Sequence, residues 1–144
     1  MNAAVFESFA LRDPPVDHVF VYGTLRRGDD NDITRLRPPP HFVGIAAVPG
    51  RLHHFGAYPG VVLGGRDVVH GEVYAITPAL EARLDEIECV YPQQSDEYFK
   101  RAIEVDVQLA EGGRRAIMCI CYEINPDGLG SAPLIASGNW VTGR

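Results

Sequence analysis

A short apolar strand that runs straight into a glycine-bracketed loop is the feature that most limits how this chain can fold. The segment is His18-Val19-Phe20-Val21-Tyr22-Gly23-Thr24-Leu25-Arg26-Arg27-Gly28. Val19 to Tyr22 are β-branched or aromatic, which suits a pleated, buried strand. Gly23 follows with no spacer, so the chain turns where a side chain would clash. A loop at the end of a buried strand presents consecutive backbone N–H groups, and such concave donor sets bind anions. A ligand carboxylate or phosphate is therefore expected at Gly23, Thr24 and Leu25. The spacing Gly23 to Gly28 is that of a nucleotide P-loop, but Asp29 and Asp30 stand where Lys and Ser/Thr are needed. Two carboxylates there repel phosphate, which excludes that reading.

The rest of the chain alternates strands with a single clear helix. Asp29 to Pro40 is polar and then proline-rich, with room for a helical turn over Asp32 to Leu36. Phe42 to Val48 reads as a strand, Pro49-Gly50 as a turn, and Arg51 to Phe55 as the returning strand of a hairpin. Gly56 to Gly65 reads as loop around the apolar run Val61 to Leu63, and Val69 to Ile76 as another strand. Thr77-Pro78 opens a helix, with Thr as N-cap and Pro at the first helical position. Leu80, Leu84 and Ile87 form its apolar stripe. Ile103, Val105, Val107 and Leu109 alternate with Glu104, Asp106 and Gln108 in a half-buried strand over Arg101 to Leu109. Gly112-Gly113 turns the chain into Ala116 to Ile124, an almost unbroken apolar strand expected at the centre of a sheet. The order β, ββ, β, α, ββ, tail is that of a single α+β domain, residues 1–144, dominated by antiparallel strands. Residues 1–17 are expected to be a mobile lead-in.

Composition removes several classes of function. The chain of 144 residues carries a formal charge of −6, which disfavours nucleic acid and anionic membranes as partners. No segment is long and apolar enough to span a bilayer, and the N-terminus lacks the basic and apolar regions of a signal peptide. A cytoplasmic location is expected. Cys89, Cys119 and Cys121 are odd in number and have no zinc-binding cluster, so they read as reduced and, for the last two, as core. His53 and His54 are adjacent in a strand, point to opposite faces and cannot both bind one metal ion, which argues against a metal site of His53, His54 and His70.

One carboxylate is well placed for chemistry. At about 100° per residue, Glu88 lies on the flank of the Leu80, Leu84, Ile87 arc, whereas Glu86 points away. Partial burial of Glu88 would raise its pKa, as a proton shuttle near neutral pH requires.

Tyr22-Gly23-Thr24-Leu25 resembles the opening signature of gamma-glutamylcyclotransferase-like proteins, the gamma-glutamylamine cyclotransferases among them. Tyr58-Pro59-Gly60, Gly71-Glu72-Val73-Tyr74, Leu84-Asp85-Glu86-Ile87-Glu88 and Ile135-Ala136-Ser137-Gly138-Asn139-Trp140 follow in the order of that family. The resemblance implies a small curled β-barrel with flanking helices and a ligand cavity at its mouth. It implies a gamma-glutamyl small molecule as substrate and 5-oxoproline as product, formed without metal or cofactor. It makes Glu88, in its Leu-Asp-x-x-Glu segment, the catalytic acid–base. Glu97, in Glu97-Tyr98-Phe99-Lys100-Arg101, is the alternative, because some shorter relatives carry their Glu in that arrangement. The family's usual Glu-Gly or Glu-Ser after the helix is Glu88-Cys89 here. Tyr22, Gly23, Thr24, Leu25 and Tyr98 are the expected substrate contacts, with the tyrosines as hydrogen-bond donors. Tyr58 and Tyr122 read as structural, though both are within reach of the rim. Asp29 to Pro40 and Tyr91 to Asp96 are the expected rim loops. A non-catalytic module that binds a ligand in the same cavity is the alternative function. The leaving group and the oligomeric state stay open.

Overall fold

A computed structural model describes residues 16–140. The strands are β1 (His18–Val21), β2 (His41–His54), β3 (Pro59–Ala75), β4 (Tyr98–Leu109) and β5 (Arg114–Ile124), with helix α1 (Pro78–Ile87) between β3 and β4. They close into a barrel in the order β1-β3-β2-β4-β5. All neighbours are antiparallel except β1 and β5, whose parallel contact at Val19 and Ile120 completes the circle. The expected α+β curled barrel is thus the observed one. Among the described residues no helix is long and apolar enough to cross a membrane.

The strands bury both faces, and each face feeds its own core. Phe20, Val69, Val73, Val105, Val107, Cys119 and Cys121 belong to one cluster. Val19, Val21, Ala102, Ile120, Tyr122 and Ile124 belong to the other, together with Leu80 and Leu84 of α1. The helix packs over one face of β1, β4 and β5. This is why β5 reads as continuously apolar, while the second half of β4 alternates with exposed Glu104, Asp106 and Gln108. The lead-in lies outside the described residues except for Val16 and Asp17. Val16 is buried in the helix-side core, and the Asp17 carbonyl accepts from Ile76 N–H at 2.9 Å.

Two sequence expectations are corrected. Pro49-Gly50 does not turn the chain. β2 passes through it as one 14-residue strand, and the irregularity falls on its partner. Pro49 pairs with Val68 but Gly50 pairs with Leu63, so residues 64–67 of β3 have no partner on β2. Gly64 and Gly65 take φ of 100° and 87° to make that excursion. The stretch Gly56 to Gly65 is likewise strand from Pro59 onward, within the 17-residue β3. The expected helical turn after the first loop is a 3-10 turn at Ile33–Arg35, with the Asp32 side chain accepting from Thr34 N–H. The long helix begins as expected: the Thr77 side chain caps Leu80 N–H, and Pro78 occupies the first turn.

Gly71 shows how tightly β1 is seated. A Cβ there would lie 2.3 Å from the Val21 carbonyl oxygen and 2.7 Å from the Phe20 ring, so no other residue fits without moving the strand.

Candidate active site

Strand β1 delivers the loop Gly23 to Asp32 to one end of the barrel, where a ring of hydrogen bonds fixes it. Arg26 N–H donates to the Gly23 carbonyl, Asn31 N–H to Thr24 and Ile33 N–H to Leu25, each at 2.9–3.0 Å. Asp32 accepts from Gly28 N–H and Thr34 N–H, both at 2.9 Å. Glu72, from Gly71-Glu72-Val73-Tyr74, clamps the loop from below. It accepts from Arg26 Nε at 3.0 Å, Arg27 N–H at 3.1 Å and the Tyr74 hydroxyl at 2.8 Å. At Gly23, Thr24 and Leu25 these contacts use the backbone carbonyls. Among the described residues none takes a hydrogen bond from the N–H groups of the same three positions.

These three residues line a cavity of about 300 Å³. Helix α1 brings Ile87 and Glu88 to it, the start of β4 brings Glu97 and Tyr98, and the β2–β3 connection brings Ala57, Tyr58 and Pro59. Glu88 sits at the C-cap of α1, where its N–H closes on the Leu84 carbonyl at 2.9 Å. Its carboxyl accepts no hydrogen bond from another described residue. Burial and the nearby Glu97 charge push its pKa up from 4.5 to about 7. The negative end of the helix acts in the same direction. Glu88 and Glu97 therefore both reach the cavity, but differently. Glu97 is exposed and accepts a short hydrogen bond from the Tyr58 hydroxyl, which pushes the phenol up to about 12.

All five expected substrate contacts line the cavity. The tyrosines are walls there and not free donors. The Tyr22 hydroxyl donates to the Tyr122 carbonyl at 2.6 Å and accepts from Val61 N–H at 3.3 Å. The Tyr98 hydroxyl donates to the Pro59 carbonyl at 2.8 Å. Burial holds both phenols well above their ordinary pKa. Tyr58, read from sequence as structural, is the tyrosine whose hydroxyl meets a cavity carboxylate. Of the two expected rim loops, the first contributes Asp30 and Asn31. None of residues 91–96 lines the cavity. The missed elements are Ala57, Pro59 and the Tyr58–Glu97 pair. Their one sequence signal was the motif Tyr58-Pro59-Gly60, where Gly60 lets β3 pass Ile124: a Cβ would lie 2.6 Å from the Ile124 Cβ.

The departure at Cys89 also has a local meaning. Cys89 takes φ of 56° as its N–H closes on the Glu86 carbonyl at the end of α1. A left-handed residue there favours glycine. Cys89→Gly is expected to raise stability by roughly 0.5–1 kcal/mol, read as a rise in denaturant midpoint with unchanged slope.

A small closed barrel and an end cavity lined by open backbone N–H groups and the Glu88 carboxyl form the candidate site. Residues 19–142 match the family described as gamma-glutamyl cyclotransferase, AIG2-like, and the chain belongs to that family. It is 32% identical over 124 residues to the gamma-glutamylcyclotransferase family protein YtfP of Escherichia coli, covering 85% of this chain and 95% of that one. It is 44% identical over 73 residues to a putative gamma-glutamylcyclotransferase of Vibrio cholerae, a match spanning 50% of this chain and 62% of that protein. The crystal structure of a mouse AIG2-like protein superposes with a TM-score of 0.66 at 28% identity, covering 81% of this chain and 84% of that one.

Proposed function

We propose that the protein is a gamma-glutamyl cyclotransferase that releases 5-oxoproline, with Glu88 as its acid–base. The single observation that carries this reading is the Glu88 carboxyl: inside the cavity, without a hydrogen-bond partner among the described residues, and poised near neutrality. The substrate's α-amine attacks its own γ-carbonyl carbon. The new C–N bond closes a five-membered lactam, and the old amide C–N bond breaks. The attacking nitrogen loses two protons between α-ammonium and lactam N–H. Glu88 as carboxylate takes the first and returns it to the departing nitrogen, and the second follows by the same relay. The amine thus leaves as its ammonium, and no net proton is consumed at the enzyme. The nucleophile belongs to the substrate, so the protein's tasks are to fold it and to move the proton. The N–H groups of Gly23, Thr24 and Leu25 hold the α-carboxylate or the developing oxyanion. Tyr22 and Tyr98 shape the wall.

The test is mass-spectrometric detection of 5-oxoproline from a panel of gamma-glutamyl amines and peptides. Release is expected. A folded sample that binds these compounds stoichiometrically and turns none over would establish a binding module instead.

The pH profile separates the two glutamates. The base must be ionised, so kcat is expected to rise about tenfold per pH unit below 7 and to level off above it. The Glu97 charge is part of what lifts Glu88. Glu97→Gln is therefore expected to move the rising limb toward acid, measured with saturating substrate. Loss of turnover at every pH in that variant would make Glu97 the base.

A further inference from the structure

The charges around the cavity are one-sided. Among the described residues three carboxylates line it, Glu88, Glu97 and Asp30, and no Lys, Arg or His does. The nearest basic residue in sequence, Arg26, is spent elsewhere: its Nε is 3.0 Å from Glu72 and its Nη1 is 2.7 Å from the Asn139 side chain. On the reading above, the glutamyl half of the substrate brings one ammonium and one carboxylate. Glu88 meets the first, and the open N–H groups of Gly23 to Leu25 meet the second. The glutamyl half thus leaves the charges of Glu97 and Asp30 unmatched.

Both of these residues are held in place by their backbones. Asp30 N–H donates to the Asp29 side chain at 2.7 Å, and its neighbour Asn31 is tied to Thr24 through N–H to carbonyl at 2.9 Å and side chain to Oγ1 at 3.1 Å. The Glu97 carbonyl accepts from Asn125 N–H at 2.8 Å. Tyr58 adds an aromatic face beside Glu97, stacked on Phe55 with ring centroids 5.8 Å apart. Carboxylates next to an aromatic face suit a cation.

We propose that the leaving group is a cationic amine, of the diamine type, which carries a further positive charge beyond the reacting nitrogen and is seated by Asp30 and Glu97. A leaving group with a carboxylate near the amide would instead meet two like charges, with no basic side chain among the described lining residues to offset them. This inference rests on the cyclotransferase reading for its chemistry but concerns a different half of the substrate.

The experiment compares three isosteric substrates: gamma-glutamyl-1,5-diaminopentane, gamma-glutamyl-pentylamine and gamma-glutamyl-5-aminopentanoate. The first ends in an ammonium, the second is neutral and the third ends in a carboxylate. kcat/KM for 5-oxoproline release is expected to fall in that order, by roughly tenfold from cation to neutral and again to anion at low salt, with the spread narrowing as salt rises. Asp30→Asn is expected to compress the spread through KM, with the neutral substrate least affected. Equal rates for the three, or a preference for the carboxylate, would overturn the inference while leaving the cyclotransferase reading intact. Should none of the three release 5-oxoproline, that reading falls instead. Calorimetric affinities of the same compounds then decide the charge preference alone: tighter binding of the cation upholds it, and equal or reversed affinities overturn it.

Discussion

Replacing Glu88 by Gln is expected to remove turnover and, above pH 7, to make the protein more stable. The catalytic loss should be on the order of 10²–10⁴ in kcat, the usual contribution of a positioned proton-transfer group. The gain in stability follows from the same cause that makes the residue useful. In the unfolded chain this carboxyl ionises near 4.5, and in the fold near 7. Between those values the folded state binds more protons than the unfolded state, so wild-type stability falls as pH rises through the window. Above 7 the cost of the ionised, buried Glu88 is complete, at about 3 kcal/mol. Below 4.5 it is absent. Gln resembles the protonated acid in shape and carries no charge at any pH. The variant should therefore match wild type near pH 4 and exceed it by about 6–12 °C in Tm at pH 8.5, given the usual 2–4 °C per kcal/mol for a chain of this size. Thermal melts of both proteins across pH, beside 5-oxoproline release, check the two halves together. Equal melting temperatures at pH 8.5 would show that Glu88 is not held in a desolvated position.

How far the sequence revealed this molecule depended on the range of the interaction involved. Helix α1 was legible because its signals are local: Thr77 as cap, Pro78 in the first turn, and the Leu80, Leu84, Ile87 stripe. The β4–β5 hairpin was legible from alternation and Gly112-Gly113. Glu88 was legible as an inward carboxylate because one helix turn of geometry places it beside that stripe. The β2–β3 hairpin was misread, because Pro49-Gly50 carries a turn signature and only pairing with β3 shows that the excursion sits at Gly64 and Gly65. Closure of the barrel through β1 and β5 joins residues 101 positions apart, Val19 and Ile120, and came only from family resemblance. The tyrosine hydroxyls were the hardest to place. Tyr22 reaches Tyr122, Tyr98 reaches Pro59, and Tyr58 reaches Glu97. Each is a long-range bond with no periodic trace in the chain.

Asp85 is expected to be the most damaging position at which to cut a side chain short, although it does not line the cavity. It is 6% exposed and serves two partners. Its Oδ1 accepts from the Tyr122 hydroxyl at 2.7 Å, and its Oδ2 lies 2.9 Å from Lys100 Nζ. Tyr122 is on β5 and Lys100 on β4, so one carboxylate bolts α1 to two strands of the barrel. Lys100 also contacts Glu81, one helical turn earlier. Asp85→Ala leaves a buried phenol without its acceptor and a largely buried ammonium with half its counter-charge. Breaking such a pair from one side costs about 3–5 kcal/mol when no second partner remains. Glu81 reduces this, to roughly 2–4 kcal/mol. Asp85→Asn keeps the shape and an acceptor for Tyr122, and should cost less. Coupling between Asp85→Ala and Tyr122→Phe in a double-mutant cycle is expected at about 1 kcal/mol or more. Additive effects would mean that the two groups do not support one another. Activity should fall with stability in Asp85→Ala, because Glu88 is the next residue but two along the same helix and its position is only as fixed as α1. In Asp85→Asn the helix stays bolted at Tyr122, so turnover should recover further than in Asp85→Ala, with the rising pH limb still near 7. A limb displaced far from 7 in Asp85→Asn, with stability retained, would instead show that Asp85 sets the ionisation of Glu88 directly and not merely its place.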